Sequence, residues 1–179
     1  KVICWNDGLD DSANSDIVSQ VWAPGTTAQG VRRANRGRKT IMSPFFRMYF
    51  DYPYAMTPLH KTLAFNPLAG VKSSAKDNIL GVEGTVWTEY IVDADKLFFN
   101  LLPRLDALAE CAWGYHTRKF FSYLREKFAV YGSMGVMFNS GAISKQFILS
   151  RLDTLRKFRK VDADIELTRY KGMLDTKLN

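Results

Sequence analysis

Six residues have the side-chain types and spacing to bind a polar ligand with flat apolar faces: Trp5, Trp22, Tyr49, Asp51, Trp87 and Glu89. Each tryptophan ends a short apolar segment. Each carboxylate follows an aromatic residue by two positions, in Tyr49-Phe50-Asp51 and in Trp87-Thr88-Glu89. In extended backbone, side chains two positions apart point to the same side. Each aromatic and carboxylate pair can therefore contact one ligand.

This combination favours a carbohydrate site. The C–H face of a sugar ring stacks on aromatic side chains, and its hydroxyls donate hydrogen bonds to carboxylates. A single tryptophan at a strand end is explained equally well by core packing. Three tryptophans at strand ends, interleaved with a tyrosine and two carboxylates, fit a binding site better than a core.

The elements that must position these residues are strands alternating with crossovers. Apolar runs bounded by turn residues predict strands over residues 2–5, 16–22, 39–43 and 79–87. Asn6-Asp7-Gly8 is interpreted as a turn, and residues 45–67 as a long aromatic loop. Helical spacing predicts helices after residue 26, from residue 103, from residue 120, and over 144–160 and 162–178. The pattern favours an α/β fold with a parallel sheet, whose binding residues gather at the carboxyl ends of the strands.

Five segments resemble a known family. Residues 81–90 (GVEGTVWTEY) and 102–113 (LPRLDALAECAW) resemble the last strand and helix of family-20 glycoside hydrolases, the β-N-acetylhexosaminidases. Residues 2–5, 17–22 and 41–51 resemble the ends of the fifth, sixth and seventh barrel strands. The resemblance implies the second half, strands 5–8, of a TIM-type (β/α)8 barrel over residues 1–139. Residues 140–179 would then be a helical extension.

The resemblance also implies roles for the six residues. Trp5, Trp22 and Trp87 match the tryptophans that enclose the acetamido methyl group of the substrate. Tyr49 matches the tyrosine that orients the acetamido oxygen, which attacks the anomeric carbon in this substrate-assisted mechanism. The positions of Asp51 and Glu89 hold sugar hydroxyls. Arg104 and Trp113 match family positions as well, and we attribute both to helix packing.

One departure from the family is large. The adjacent Asp-Glu pair that orients the acetamide and protonates the leaving oxygen belongs on the fourth strand, and this sequence contains no such pair. We therefore expect no catalytic residue in this chain beyond the acetamide-orienting Tyr49, and no hydrolysis by the chain alone. The expected partners are N-acetylhexosamine glycans and either the missing first half of the barrel or a second copy. A non-catalytic carbohydrate-binding or oligomerising half-barrel is the alternative function.

Composition bears on the other function classes. The formal net charge of +7 resides in residues 117–179, which hold 13 basic and 6 acidic residues. Nucleic-acid binding through this tail is a weaker reading than solvated helix faces, because the charges are spaced. No cofactor or metal site is expected, and Cys4 and Cys111 are predicted to be buried free thiols. No apolar run approaches the ~18 residues of a membrane span. No signal peptide is visible, but Lys1 could be an internal position, so the compartment stays open.

Overall fold

The computed structural model describes residues 1–10, 12, 16–114 and 120–143. Its centre is a four-stranded parallel sheet in the order β1-β2-β3-β4, with strands β1 (Ile3–Trp5), β2 (Val18–Val21), β3 (Thr40–Met42) and β4 (Ile79–Val82). The helices are α1 (Thr27–Asn35), α2 (Phe45–Met48), α3 (Leu59–Leu63), α4 (Ala94–Leu101), α5 (Arg104–Trp113) and α6 (Phe120–Ser133). Three short 3-10 helices span Asn6–Gly8, Ser73–Asn78 and Ser140–Ile143. The predicted α/β class with a parallel sheet is confirmed.

One face of the sheet packs against helices. Val21 and Met42 pair in register and are fully buried. Helix α1 lies directly over them, because Gly30 has no side chain: a Cβ atom there would lie 2.5 Å from Cγ2 of Val21. The main core cluster consists of Val21, Met42, Met48, Phe50, Phe65 and Cys111. The face of the sheet toward α1 therefore carries much of its packing.

Two predictions for the middle of the chain were wrong. Strand β4 ends at Val82, so Trp87 lies five residues beyond it and does not end the strand. The ladder to β3 shifts register between Thr40 and Ile41, opposite a Gly81 with φ of 149°, and it ends where Met42, the last residue of β3, pairs with Val82. Residues 45–67 are not one loop, because they contain α2 and α3.

The helices of the second half match the sequence unevenly. Helix α5 begins after Pro103 and ends at Gly114, which adopts the left-handed conformation. Helices α5 and α6 were both predicted, whereas α4 was not. The helices predicted over 144–160 and 162–178 lie outside the described residues, and the division at residue 139 stays a prediction.

The two cysteines have different surroundings. Cys111 is buried, and its thiol donates to the carbonyl of Phe65 over 3.1 Å. Cys4 is only half-buried, so the prediction of two buried thiols is correct for Cys111 and wrong for Cys4. Cys4 belongs to the short edge strand β1, which lacks a neighbour on one side in the described part of the chain. In the same described part, no helix is long and apolar enough to cross a membrane.

Candidate functional site

A cavity of about 630 Å³ opens at the carboxyl edge of the sheet. The structure brings all six predicted site residues together in its walls: Trp5, Trp22, Tyr49, Asp51, Trp87 and Glu89. Six further residues line it that the sequence analysis did not select: Ile3, Cys4, Asp7, Gly8, Phe45 and Tyr52. The clustering follows from the parallel sheet, because segments that leave neighbouring strands at the same edge lie side by side.

The tryptophans form three sides of the cavity. The ring of Trp5 lies at the centre, with centroid distances of 6.3 Å to Trp22 and 5.9 Å to Trp87. The Trp5 and Trp22 planes are nearly perpendicular, at 81°, so the two indoles present a corner and not a stack. Tyr49 continues the wall at 6.0 Å from Trp22. Such a corner of aromatic faces suits a small apolar group such as a methyl.

The orientation of Trp22 is fixed by the residues that follow β1. The indole Nε1 donates to Oδ1 of Asp7 over 2.7 Å, and the backbone nitrogen donates to Oδ1 of the buried Asn6 over 2.8 Å. Asn6 in turn donates to Gln29 of α1 over 3.1 Å. Asn6-Asp7 is therefore more than the turn that the sequence indicated, because it also locks one wall of the cavity. No local pattern signals this role, since both contacts join residues 15 or more positions apart.

A parallel bridge beyond the sheet aligns the two aromatic and carboxylate pairs. Tyr49 pairs with Thr85, and the bridge is closed by hydrogen bonds from the Thr85 nitrogen to the Met48 carbonyl (2.8 Å) and from the Phe50 nitrogen to the Thr85 carbonyl (2.9 Å). This places the segment with Tyr49 and Asp51 beside the segment with Trp87 and Glu89. Pairing between the two segments therefore continues beyond the end of β4. This explains why all four side chains reach one cavity.

The same bridge depends on a glycine. A Cβ atom on Gly84 would lie 2.7 Å from the Phe50 ring and 2.9 Å from Cδ2 of Leu108. Phe50 is 1% exposed, so its ring has no free space into which to retreat. Gly84 therefore allows the two segments and helix α5 to meet without a steric clash.

Asp51 is a buried carboxyl in the cavity wall. Burial raises its pKa from 3.8 to about 6, against the lowering effects of backbone hydrogen bonds and of the Arg104 charge. Its Oδ1 atom has no hydrogen-bond partner among the described residues. At neutral pH the group is mainly ionised and still has an acceptor to offer. A ligand hydroxyl would supply the missing hydrogen bond.

Tyr49 is a hydrogen-bond donor at neutral pH. Burial raises the pKa of its hydroxyl to about 12, and a hydrogen bond with the Trp87 side chain opposes that rise only in part. The phenol therefore stays protonated and can donate to a carbonyl oxygen. Its neighbour Tyr52, with a ring centroid 6.4 Å from that of Tyr49, continues the wall toward Tyr90 at 5.4 Å.

Arg104 and Trp113, both attributed to packing, have opposite environments. Arg104 is completely buried, whereas Trp113 is 76% exposed, so packing is wrong for Trp113. Trp113 shares an outward face of α5 with Leu105, which is 46% exposed. No group of three or more histidine, cysteine or acidic side chains in the described ranges could hold a metal ion.

Comparison with known proteins gives the family. The model of the catalytic domain of glycosyl hydrolase family 20 matches residues 1–116. A β-N-acetylhexosaminidase of Cellulomonas fimi is 31% identical over 125 residues, covering 63% of this chain and 25% of that protein. The β-hexosaminidase subunit B2 of Dictyostelium discoideum is 31% identical over 106 residues, covering 59% of this chain and 18% of that protein. The chain thus spans about a quarter or less of these curated relatives.

Solved structures with a similar fold come from the same family. The exo-β-N-acetylglucosaminidase of Vibrio harveyi, solved with N-acetylglucosamine, superimposes with a TM-score of 0.67 at 21% identity, covering 77% of this chain and 24% of that one. The β-N-acetylhexosaminidase of Streptomyces coelicolor A3(2) gives a TM-score of 0.67 at 24% identity, covering 78% and 32%. Both are family-20 enzymes of TIM-barrel type, in keeping with the parallel sheet found here. The chain belongs to glycosyl hydrolase family 20.

Proposed function

We propose that this chain supplies the part of a β-N-acetylhexosaminidase pocket that binds the acetamido group and the hydroxyls of a terminal N-acetylhexosamine. The single observation that carries the proposal is the convergence of three indoles, a protonated tyrosine hydroxyl and two carboxylates in one cavity of a family-20 chain. Each of these groups complements a different part of that sugar.

The acetamido group would occupy the aromatic corner. Its methyl would lie among Trp5, Trp22 and Trp87, and its oxygen would accept a hydrogen bond from the Tyr49 hydroxyl. Asp51 and Glu89 would accept hydrogen bonds from hydroxyls at the far edge of the ring. Asp51 is buried and unpaired at Oδ1, whereas Glu89 is exposed at the rim. The buried carboxylate is the stronger determinant of the two.

The proposed chemistry is substrate-assisted hydrolysis with retention. The acetamido oxygen attacks the anomeric carbon, the glycosidic bond breaks, and the leaving oxygen takes a proton from a general acid. Water then opens the cyclic intermediate. Tyr49 holds the acetamido oxygen for this attack, while the general acid would come from an Asp-Glu pair that the sequence lacks.

We further propose that β1 to β4 are strands 5–8 of the eight-stranded barrel. In the described part of the chain β1 and β4 are edge strands, and they carry exposed apolar residues: Ile3 is 57% and Leu80 is 53% exposed. The outward face of α5, with Leu105 and Trp113, adds to this apolar surface. Uncovered parallel edges with apolar side chains favour pairing with further strands. The first half of the barrel is the proposed occupant, and a second copy of this chain is the alternative.

Sedimentation analysis and intact-mass measurement of the natural protein test this arrangement. A natural protein with residues ahead of Lys1 that close a single barrel would support the first occupant. A stable dimer of the 179-residue chain with both edges protected from hydrogen exchange would support the second. A monomer with freely exchanging edges and no preceding residues would contradict both.

Sugar binding by the 179-residue chain tests the pocket itself. We expect N-acetylglucosamine and a thiazoline transition-state mimic to quench tryptophan fluorescence or to show saturation transfer, and glucose to do neither. Trp87→Ala should weaken the thiazoline, because it removes one aromatic wall. Trp113→Ala is the matched control, since Trp113 is exposed on α5 and does not line the cavity. Equal binding of glucose, or equal loss in the control, would contradict the proposal.

A hydrolysis assay distinguishes an enzyme from a unit that only binds carbohydrate. A protein that completes the barrel should cleave a nitrophenyl N-acetylglucosaminide and not the plain glucoside. The 179-residue chain alone should show no turnover above background, because a general acid contributes roughly 10²–10⁴-fold in such chemistry. If the completed protein binds the sugar without cleaving it, the non-catalytic alternative is correct.

A further inference from the structure

Arg104 is the most completely buried cation among the described residues, with 0% exposure at the start of α5. Its guanidinium donates to four main-chain carbonyls: Nε to Asn100 (2.6 Å), and Nη1 to Tyr52 (2.9 Å) and Thr57 (3.1 Å), with Nη2 bonded to Phe50. Burying a charge is expensive unless hydrogen bonds replace its hydration. Four carbonyls provide that replacement here.

Asn100, at the end of α4, completes the arrangement. It is 1% exposed, and its Nδ2 donates to the Asp51 carbonyl over 2.9 Å. Arg104 holds the carbonyls of Phe50 and Tyr52, and Asn100 holds the one between them. Two side chains that do not line the cavity therefore bind three consecutive carbonyls. Fixing these peptide planes fixes the direction in which the Asp51 side chain leaves the backbone.

The guanidinium is suited to this task in a way that an ammonium is not. It is a planar fork with five donors, which can serve several carbonyls at once. Its plane also lies against aromatic rings, 4.2 Å from the Tyr54 centroid and 5.1 Å from that of Phe50. These contacts hold the fork rigid against the loop that carries Asp51.

We propose that Arg104 and Asn100 are positioning residues for sugar recognition, because together they clamp the carbonyls of residues 50–52 and so hold the Asp51 carboxylate in the cavity wall. The inference rests on the proposed function of Asp51 as a hydroxyl acceptor. It goes beyond that function by assigning the geometry of the acceptor to two residues that do not line the cavity.

The charge of Arg104 also affects the Asp51 carboxyl. The Arg104 cation lowers the pKa of the Asp51 carboxyl, which burial would otherwise raise further than about 6. Glu89 acts in the opposite direction on the same group. Arg104 therefore helps to keep Asp51 ionised when the pocket is ready to accept a hydroxyl.

The first test compares two buried arginines in the 179-residue chain. Arg104→Met should weaken thiazoline or N-acetylglucosamine binding by about tenfold or more, because small displacements of a binding group have large effects. Arg33→Met is the control, since Arg33 is 1% exposed but lies in α1 and donates to the Asp10 carbonyl. Arg104→Lys keeps a charge without the fork, and it should lose affinity while largely retaining the Asp51 pKa.

A second pair of variants applies if Arg104→Met does not fold. Asn100→Ala removes only the bond to the Asp51 carbonyl and should also weaken binding. Asn78→Ala is its control, because Asn78 makes the same type of bond to the Ala34 carbonyl, 2.9 Å away and far from the loop. Affinity within about twofold of the wild type in all Arg104 and Asn100 variants would overturn the inference.

Carboxyl ¹³C titration of Asp51 without sugar separates this inference from the proposed function. Arg104→Met should raise the Asp51 pKa, while Arg33→Met should leave it unchanged. If the wild type binds no N-acetylated sugar, the proposed function fails; a titration that shifts as stated then still shows that Arg104 acts on the Asp51 carboxyl. If the wild type binds and neither titration nor affinity responds to Arg104, the proposed function stands and the positioning is wrong.

Discussion

The carboxyl of Asp51 is buried in the wall of the cavity. Removing its charge should raise the stability of the fold and lower the affinity for the sugar. Asp51→Asn keeps the shape of the side chain and removes the charge. We expect the variant to be more stable than the wild type at neutral pH. The same variant should lose most of its affinity for N-acetylglucosamine, because its amide cannot offer the charged acceptor.

The magnitude follows from the pKa of the buried group. In the folded chain the Asp51 pKa is about 6, against an ordinary 3.8. One pH unit corresponds to about 1.4 kcal/mol, so ionisation costs the fold up to about 3 kcal/mol at pH 7. The cavity is open to solvent, which screens part of this cost. We therefore expect Asp51→Asn to gain about 1–3 kcal/mol at pH 7.

The direction of the Asp51 pKa shift determines how the stability gain of Asp51→Asn depends on pH. Because the folded pKa is raised, the folded wild type binds more protons than the unfolded chain between pH 4 and pH 6. Its stability therefore falls as the pH rises through that window, whereas the asparagine does not titrate. The advantage of Asp51→Asn should be largest at pH 7 and should nearly disappear by pH 4.

Urea unfolding at pH 7 and pH 4, followed by near-UV circular dichroism, measures both quantities. Asp77→Asn is the matched control, since Asp77 is exposed and lies outside the cavity. It should change the free energy of unfolding little at either pH. A variant that is no more stable than the wild type at pH 7, or one whose gain does not change with pH, would refute the reasoning about burial.

Three further predictions concern other parts of the molecule. Gly84→Ala should destabilise the chain by about 1–3 kcal/mol in urea unfolding, because the new methyl group meets the buried Phe50 ring; an unchanged midpoint would contradict this. Asp7→Ala should release the Trp22 indole and weaken thiazoline binding, with a red-shifted Trp22 emission as the independent readout. Deleting residues 144–179 should leave sugar binding unchanged, and the intact chain should not be retained on heparin or duplex DNA at physiological salt; steep salt-dependent retention lost on deletion would favour nucleic-acid binding.

Local sequence signals predicted the strands well and the middle of the chain poorly. Strands β1 to β3 begin and end close to where apolar runs meet turn residues. Helices α2 and α3 were missed because four- and five-residue helices among prolines and aromatics lack a full helical period. Helix α4 did carry a signal, since Asp93 caps it by accepting from the Lys96 nitrogen over 2.7 Å.

For the site, the sequence predicted six of the twelve residues that line the cavity and missed those that hold them in place. Aromatic and carboxylate pairs two positions apart are visible in the sequence. The Asp7 bond to Trp22 and the Arg104 bonds to the loop carbonyls are not, because they join residues 15 to 54 positions apart. A main-chain carbonyl is also present in every residue type, so the identity of the partner residue does not indicate such a bond. The sequence therefore predicts packing for Arg104 and not its bonds to the loop carbonyls.

The loop at residues 50–52 joins the core to the cavity within three positions. Phe50 packs in the main core, Asp51 lines the cavity wall, and Tyr52 borders its rim. A substitution behind the loop, at Gly84 or Arg104, disturbs the core and the wall together, so stability and affinity should fall together. A substitution of Asp51 itself removes a charge whose ionisation is opposed by burial, so affinity should fall while stability rises. The sign of the correlation between the two quantities across variants thus distinguishes residues that position the pocket from residues that contact the sugar.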